Sequence, residues 1–324
     1  MFSNVIVGVD AGEGGRDAIA LARLLSARDA KLTFVHVYQG DTRIWRASNT
    51  AYEAAERERA EKLLADAREQ AGIQAELYVT GSPSVGRGLH EAAEQVGADL
   101  LTIGSSRRGL FGRVLLGDDT AAALSGAPCA VAIAPVGFAR QPAVVREVGV
   151  GYDGSPESEH ALAFARRLAG DLGAKLSAFE AVTLPPYAEV VAVGDVIEDL
   201  VADARKRVAS LEGVEPHAAY GFAAEELALY SASLDLLVIG SRGYGPLGRL
   251  LHGSTARQLA RSARCPLLVL TRATRAATPA GDAGGAPTTA ATDADKAPAA
   301  DAGKAPAADK TPAADADKAP AASA

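Results

Sequence analysis

The sequence predicts an α/β fold: two tandem open, mainly parallel five-stranded sheets, each with helices on both faces. Three observations carry this. Short apolar runs alternate with segments of ten or more residues that have helical periodicity, the pattern of parallel strands joined by crossover helices. The whole order then occurs a second time. A glycine-rich stretch closes the fourth strand of each pass, with Gly104, Gly109, Gly112 and Gly117 lying 136 positions before Gly240, Gly245, Gly248 and Gly253.

The first pass opens with the strand Val5 to Val9, which leads into Asp10 and a glycine-containing turn. A helix over about 16–27 follows, its apolar face carrying Ile19, Leu21, Leu24 and Leu25. Lys31 to Val37 reads as the second strand. A polar segment over 41–50, holding the only tryptophan, Trp45, precedes a long charged helix over 52–71. Gln74 to Val79 is the third strand, 84–96 a helix, and Asp99 to Ile103 the fourth strand. After the glycine stretch and a further helix, Cys129 to Ile133 closes the unit.

The second pass replays that order. Its strands are Val148 to Asp153, Lys175 to Ala181, His217 to Tyr220, Leu234 to Ile239 and Pro266 to Leu270, with helices over 157–172, 194–210, 223–231 and 254–263. A first domain is therefore assigned to residues 1–137 and a second to 145–271. The connection around Gly137 to Val144, which carries Pro142, is short enough to favour a fixed side-by-side pair. Over 273–324 the composition collapses to mostly Ala, Pro, Asp, Lys and Gly. Such a segment builds no core and its prolines interrupt helix, so a disordered tail serving as spacer or solubilising extension is predicted. Its lysines alternate with aspartates, which makes a poor nucleic-acid arm.

Bulk properties narrow the function classes. A chain of 324 residues, 48% hydrophobic, can bury two cores, and its net charge of −7 argues against a general binder of nucleic acid or anionic membrane. The N-terminus has no basic leader and no apolar run approaches transmembrane length, so a cytoplasmic, soluble protein without membrane insertion is expected. Cys129 and Cys265 are equivalent positions of the two passes, expected as buried small hydrophobes in a reducing compartment. The histidines are too scattered for a metal cluster, and no Ser/His/Asp or Cys/His arrangement is suggested, so no catalytic or metal-ligating residue is assigned.

The stretch Gly240 to Thr255 is the one with chemistry in it. It follows an apolar strand and precedes a helix, the arrangement that cradles phosphate: glycines let backbone N–H groups converge on an anion, and a helix's first turn adds unsatisfied amides. Ser254 sits where a helix cap would sit and its hydroxyl can donate to a phosphate oxygen. Arg242 and Arg249 can pair with phosphates, or lie exposed to solvent. The first-strand aspartates, Asp10 and Asp153, fall beside the glycine stretches where strand order reverses, so Asp153 can accept hydrogen bonds from an adenine amino group or a ribose hydroxyl. Asp153-Gly154-Ser155-Pro156 equally supports a turn or cap role. In the earlier copy Arg107 replaces Gly243 and Asp118 replaces Ser254, changes that keep the backbone from a ligand and set a carboxylate against phosphate.

With these residues in view, the chain resembles a tandem-domain universal stress protein. Gly240, Gly243, Gly253 and Ser254 fit that family's nucleotide-binding pattern, Gly-x2-Gly-x9-Gly-[Ser/Thr], and the opening strand ending in aspartate and the closing Cys-Pro-Leu-Leu-Val-Leu also look like the family. The resemblance covers about residues 1–271. It implies a Rossmann-like fold of the adenine-nucleotide α-hydrolase type that holds ATP, with or without magnesium. Asp153 and the backbone of Ala181 would take the adenine and ribose side, and Gly240, Gly243, Arg249, Gly253, Ser254 and Thr255 the ribose and phosphates. In the first half Asp10, Val37, Gly104 and Gly117 are kept but Arg107 and Asp118 are not, so that site is expected to be degenerate. The resemblance further implies an internal pseudo-dimer meeting through the last strands, Cys129 to Ile133 and Pro266 to Leu270, with homo-oligomers as a further option. The function implied is a nucleotide-dependent stress-response regulator acting on a protein partner, with at most weak ATPase activity. Two alternatives stand beside it: a slow ATP-hydrolysing or adenylyl-transferring enzyme, and a nucleotide-independent interaction protein.

Overall fold

The structure, a computed structural model, describes residues 1–39, 50–105, 114, 118–140, 144–183, 194–241 and 254–271. Trp45 and the 273–324 tail fall outside them. The first half runs β1 (Phe2–Gly8), α1 (Glu13–Leu25), β2 (Ser26–Gln39), α2 (Thr50–Ala71), β3 (Glu76–Ser82), α3 (Val85–Val96), β4 (Leu100–Gly104), α4 (Asp118–Leu124) and β5 (Ala130–Ala134). The second runs β6 (Glu147–Gly151), α5 (Pro156–Leu172), β7 (Lys175–Val182), α6 (Gly194–Ala209), β8 (Glu215–Tyr220), α7 (Ala223–Tyr230), β9 (Leu236–Gly240), α8 (Ser254–Ser262) and β10 (Leu267–Leu270).

Local chemistry sets several of these bounds. Ser84 caps α3 by accepting the Arg87 amide at 3.3 Å, and Ser155 caps α5 by accepting the Ser158 amide at 3.3 Å, with Pro156 at the first helical position where its missing N–H is no loss. Both helices stop at a glycine in the left-handed region, Gly97 (φ 64°) and Gly173 (φ 65°). Successive strand residues face opposite layers. Val5 and Val7 join a core with α1 and α5, while Ile6 joins one with α3 and α8; Leu236 and Val238 part from Leu237 and Ile239 in the same way.

The prediction of two five-stranded sheets is corrected by the strand pairing. There is one ten-stranded mixed sheet, in the order β3-β2-β1-β4-β5-β10-β9-β6-β7-β8. Pairing is parallel within each half and antiparallel where β10 meets β5, with Leu267 opposite Ile133, Leu268 opposite Ala132 and Val269 opposite Val131. The cause is plain in the burial: all six of these side chains are fully buried, and an apolar strand covered on both faces must also pair the polar groups along its edge. The meeting edges are the last strands, those the resemblance implied. Other contacts cross the same seam. The Val114 amide donates to the Ala263 carbonyl at 2.9 Å, and the Phe2 and Phe164 rings lie 5.0 Å apart.

Candidate functional site

Strand order reverses twice in this sheet, between β1 and β4 and between β6 and β9, each pair being parallel. Crevices outside the carboxyl ends of such strands are where ligands enter open α/β sheets. Asp10 and Asp153 follow the first strand of each pair, and Gly104 and Gly240 end the second, so the topology brings the predicted aspartate and the start of the predicted glycine loop to one place in each half.

Both aspartates organise the turn into the next helix. Asp10 accepts the amides of Gly12 and Gly15, each at 2.9 Å, and Asp153 accepts the Ser155 amide at 3.0 Å and the Ser155 hydroxyl at 2.5 Å. The turn role that Asp153-Gly154-Ser155-Pro156 suggested is thus present in the structure, and it fixes the carboxylate at the strand end. Val37 is buried at the end of β2, and Ala181, half-buried, packs against the core beside α7 at the end of β7.

Gly104 and Gly240 have a steric explanation that sequence reasoning missed. A Cβ on Gly104 would stand 2.1 Å from the Gly14 carbonyl oxygen, and one on Gly240 2.3 Å from the Glu157 carbonyl oxygen. The first turns of α1 and α5 rest directly on the ends of β4 and β9. Helix-to-strand packing therefore demands glycine in both halves, including the half whose loop departs from the phosphate pattern.

The residue after each of these glycines separates the halves. The Ser105 amide and hydroxyl both donate to the Ala134 carbonyl, at 3.0 and 2.7 Å. Ser241, 3% exposed, keeps the equivalent amide bond, to the Leu270 carbonyl at 2.9 Å, but its buried hydroxyl has no hydrogen-bond partner among the described residues. A buried hydroxyl left unpaired costs about 1–3 kcal/mol. Among the described residues Thr33 and Ser82 also hold unpartnered buried hydroxyls, on β2 and β3; Ser241 is the one that directly follows a switch-point strand.

Of the remaining predicted residues, Arg107, Gly117, Gly243, Arg249 and Gly253 lie outside the described residues. Helices α4 and α8 begin at Asp118 and Ser254, and Thr255 is half-buried in the first turn of α8. Both cysteines are buried; burial pushes the Cys129 thiol up to about 12 and raises that of Cys265 further. Among the described residues no group of three or more His, Cys, Asp or Glu is placed to hold a metal ion, and no helix is long and apolar enough to cross a membrane.

Fold and site together define a duplicated doubly wound α/β protein with a strand-order switch point in each half. The universal stress protein family matches residues 1–135 and again 145–271, and the chain belongs to that family as a tandem member. Universal stress protein Rv2005c of Mycobacterium tuberculosis is 29% identical over 296 residues, an overlap of 82% of this chain and 96% of that one. Among solved structures, a universal stress protein from Archaeoglobus fulgidus superposes with a TM-score of 0.60 at 20% identity, covering 83% of this chain and 98% of its own. A structure described as a putative universal stress protein from Pseudomonas aeruginosa gives 0.55 at 17% identity, covering 85% and 96%. These two likenesses are of fold.

Proposed function

We propose that the second half binds ATP, with or without magnesium, at the β6–β9 crevice, and that occupancy changes the surface offered to a protein partner. The chain then acts as a cytoplasmic, nucleotide-dependent stress-response regulator, with any hydrolysis slow. The observation that carries this reading is the Ser241 hydroxyl: buried, unpartnered among the described residues, and followed in sequence by the stretch with the phosphate-binding spacing. A ligand oxygen there would satisfy it. Asp153, fixed by Ser155 across the switch point, supplies the acceptor that an adenine or ribose needs. The proposal confines nucleotide to the second half, since Ser105 spends its hydroxyl on Ala134 and the first loop carries Arg107 and Asp118.

A nucleotide-independent interaction protein is the second reading, and two contacts favour it. Asp153 already serves the α5 turn, and Gly240 is required by Glu157 whether or not a ligand comes. Isothermal calorimetry of the whole chain with excess ATP, with and without magnesium, separates the two. One site per chain is expected, weakened at least about tenfold in Ser254→Asp, which gives the second loop the carboxylate found in the first. No heat of binding would leave the second reading standing; two equal sites would refute the confinement; rapid ADP or adenylyl-product formation would make the protein an enzyme.

A further inference from the structure

The two halves differ on the face that carries α1, α2, α5 and α6. Val9 and Tyr152 are equivalent, each following the central strand of its half and donating its amide at 2.9 Å to the neighbouring strand, at Val35 and Phe179. In the second half the Tyr152 side chain reaches along α5 and its hydroxyl donates to Glu159, while Glu180 on β7 pairs with Arg207 of α6. There a tyrosine ring stands in place of valine, with the carboxylate of Glu159 as the partner of its hydroxyl. In the first half Val9 is too short to reach so far, Arg16 stands where Glu159 stands in the second, and a groove of about 590 Å³ lies between α1 and α2.

The groove is built for a particular chemistry. Its floor is apolar, formed by Val9, Ile19, Leu63 and Ala67, and it runs beside α1 from Gly12 to Arg23, about 16 Å at 1.5 Å per residue. Four cations border it, Arg16 and Arg23 from α1 and Arg59 and Lys62 from α2; Arg16 pairs with Glu13 at 4.0 Å and Arg59 with Glu56, and two further carboxylates, Asp10 at the strand end and Asp66, line the groove. A volume of this size suits a small organic molecule. Arg23 and Lys62, in no ion pair among the described residues, can take an anion, the apolar floor asks for a hydrophobic body, and Asp10 and Asp66 disfavour a triphosphate. We propose that this first-half groove is a binding site for an organic monoanion with an apolar body, distinct from the crevice of the second half and independent of whether that crevice takes nucleotide.

The aromatic sulfonate 1-anilinonaphthalene-8-sulfonate has the required features, and N-phenyl-1-naphthylamine is the same body without the charge. Fluorescence titration of the full chain is expected to give one sulfonate per chain, bound more tightly than the uncharged probe and unmoved by saturating ATP. Arg23→Glu and Lys62→Glu, both at exposed positions, should each weaken the sulfonate about tenfold while leaving the uncharged probe nearly unaffected. Val9→Tyr, which installs the residue of the second half, should block both probes; if it unfolds the protein by circular dichroism, the two charge reversals decide. The proposal is overturned if no sulfonate binds, if binding survives both reversals at full strength, or if ATP displaces it.

Discussion

Gly240 lies under the first turn of α5 so closely that a Cβ there would come within 2.3 Å of the Glu157 carbonyl oxygen. Neither Gly240 nor its counterpart Gly104 has a positive φ, so the restriction is steric and acts through helix-to-strand packing. Gly240→Ala is expected to destabilise by about 1–3 kcal/mol or more, because backbone cannot move aside as a flexible side chain can. Gly104→Ala, facing the Gly14 carbonyl, should cost at least as much. Urea denaturation of both variants checks this. If Gly240→Ala proves neutral, α5 does not rest on β9 as described, and a loss of ligand binding in that variant would be a direct effect.

Ser105 and Ser241 should respond to truncation in opposite senses. Ser105→Ala removes a hydrogen bond of 2.7 Å to the Ala134 carbonyl and is expected to cost about 1 kcal/mol. Ser241→Ala removes a buried hydroxyl that has no partner among the described residues, so in nucleotide-free protein it should be neutral or stabilising by about 1 kcal/mol. Under the proposed function the same Ser241→Ala variant loses ATP affinity. Thermal melts with and without ATP read both effects at once, and equal destabilisation by the two substitutions would remove the asymmetry on which the proposal rests.

The seam between β5 and β10 makes the halves depend on each other. Leu268, fully buried opposite Ala132, touches the core of both halves' sheet, and Leu268→Ala should cost about 2–5 kcal/mol. Since β5 in the first half loses packing when β10 loosens, hydrogen exchange should quicken at Val131 and Ile133 as well as at Val269. Faster exchange confined to the second half would mean that the sheet is not a single cooperative unit.

What the sequence made legible follows from what local pattern encodes. Short apolar runs between helical segments, together with the duplicated order, mark each of the ten strands, most to within about three residues, and both cysteines are buried as expected. Strand β2 begins at Ser26, several residues before the expected Lys31, because Ser26-Ala27-Arg28-Asp29-Ala30 lacks apolar alternation and its extension is imposed by pairing, Phe2 with Ser26. An apolar run such as Leu267–Leu270 says that a strand is buried; it does not name the neighbour, so the fusion into one sheet had to come from the strand register. Ser105 and Ser241 are the same residue in the same motif position, and only their hydrogen bonds tell them apart. The Val9 and Tyr152 difference was present in the sequence, but its consequence for the α1–α2 groove needs the packing.

Asp17 gives the last prediction. It lies on α1, 2% exposed, and its carboxylate accepts the amides of Gly137 and Ala139, both at 2.8 Å, tying the connection between the halves to the first helix. Burial raises its pKa above the usual 3.8, outweighing the two backbone bonds that lower it. A carboxyl whose folded pKa is raised binds its proton more readily when folded, so between its folded and unfolded values stability falls as pH rises. Asp17 therefore contributes no acid lability: on acidification through that window it adds stability, and its ionised form at neutral pH carries a desolvation penalty. Asp17→Ala should still cost about 2–4 kcal/mol at pH 7, because it strands the two amide donors. The difference between the parent chain and Asp17→Ala, from denaturation at several pH values down to about 4, should widen in favour of the parent as pH falls. A gap that shrinks on acidification would show that the charged carboxylate, with its two amide bonds, outweighs its burial.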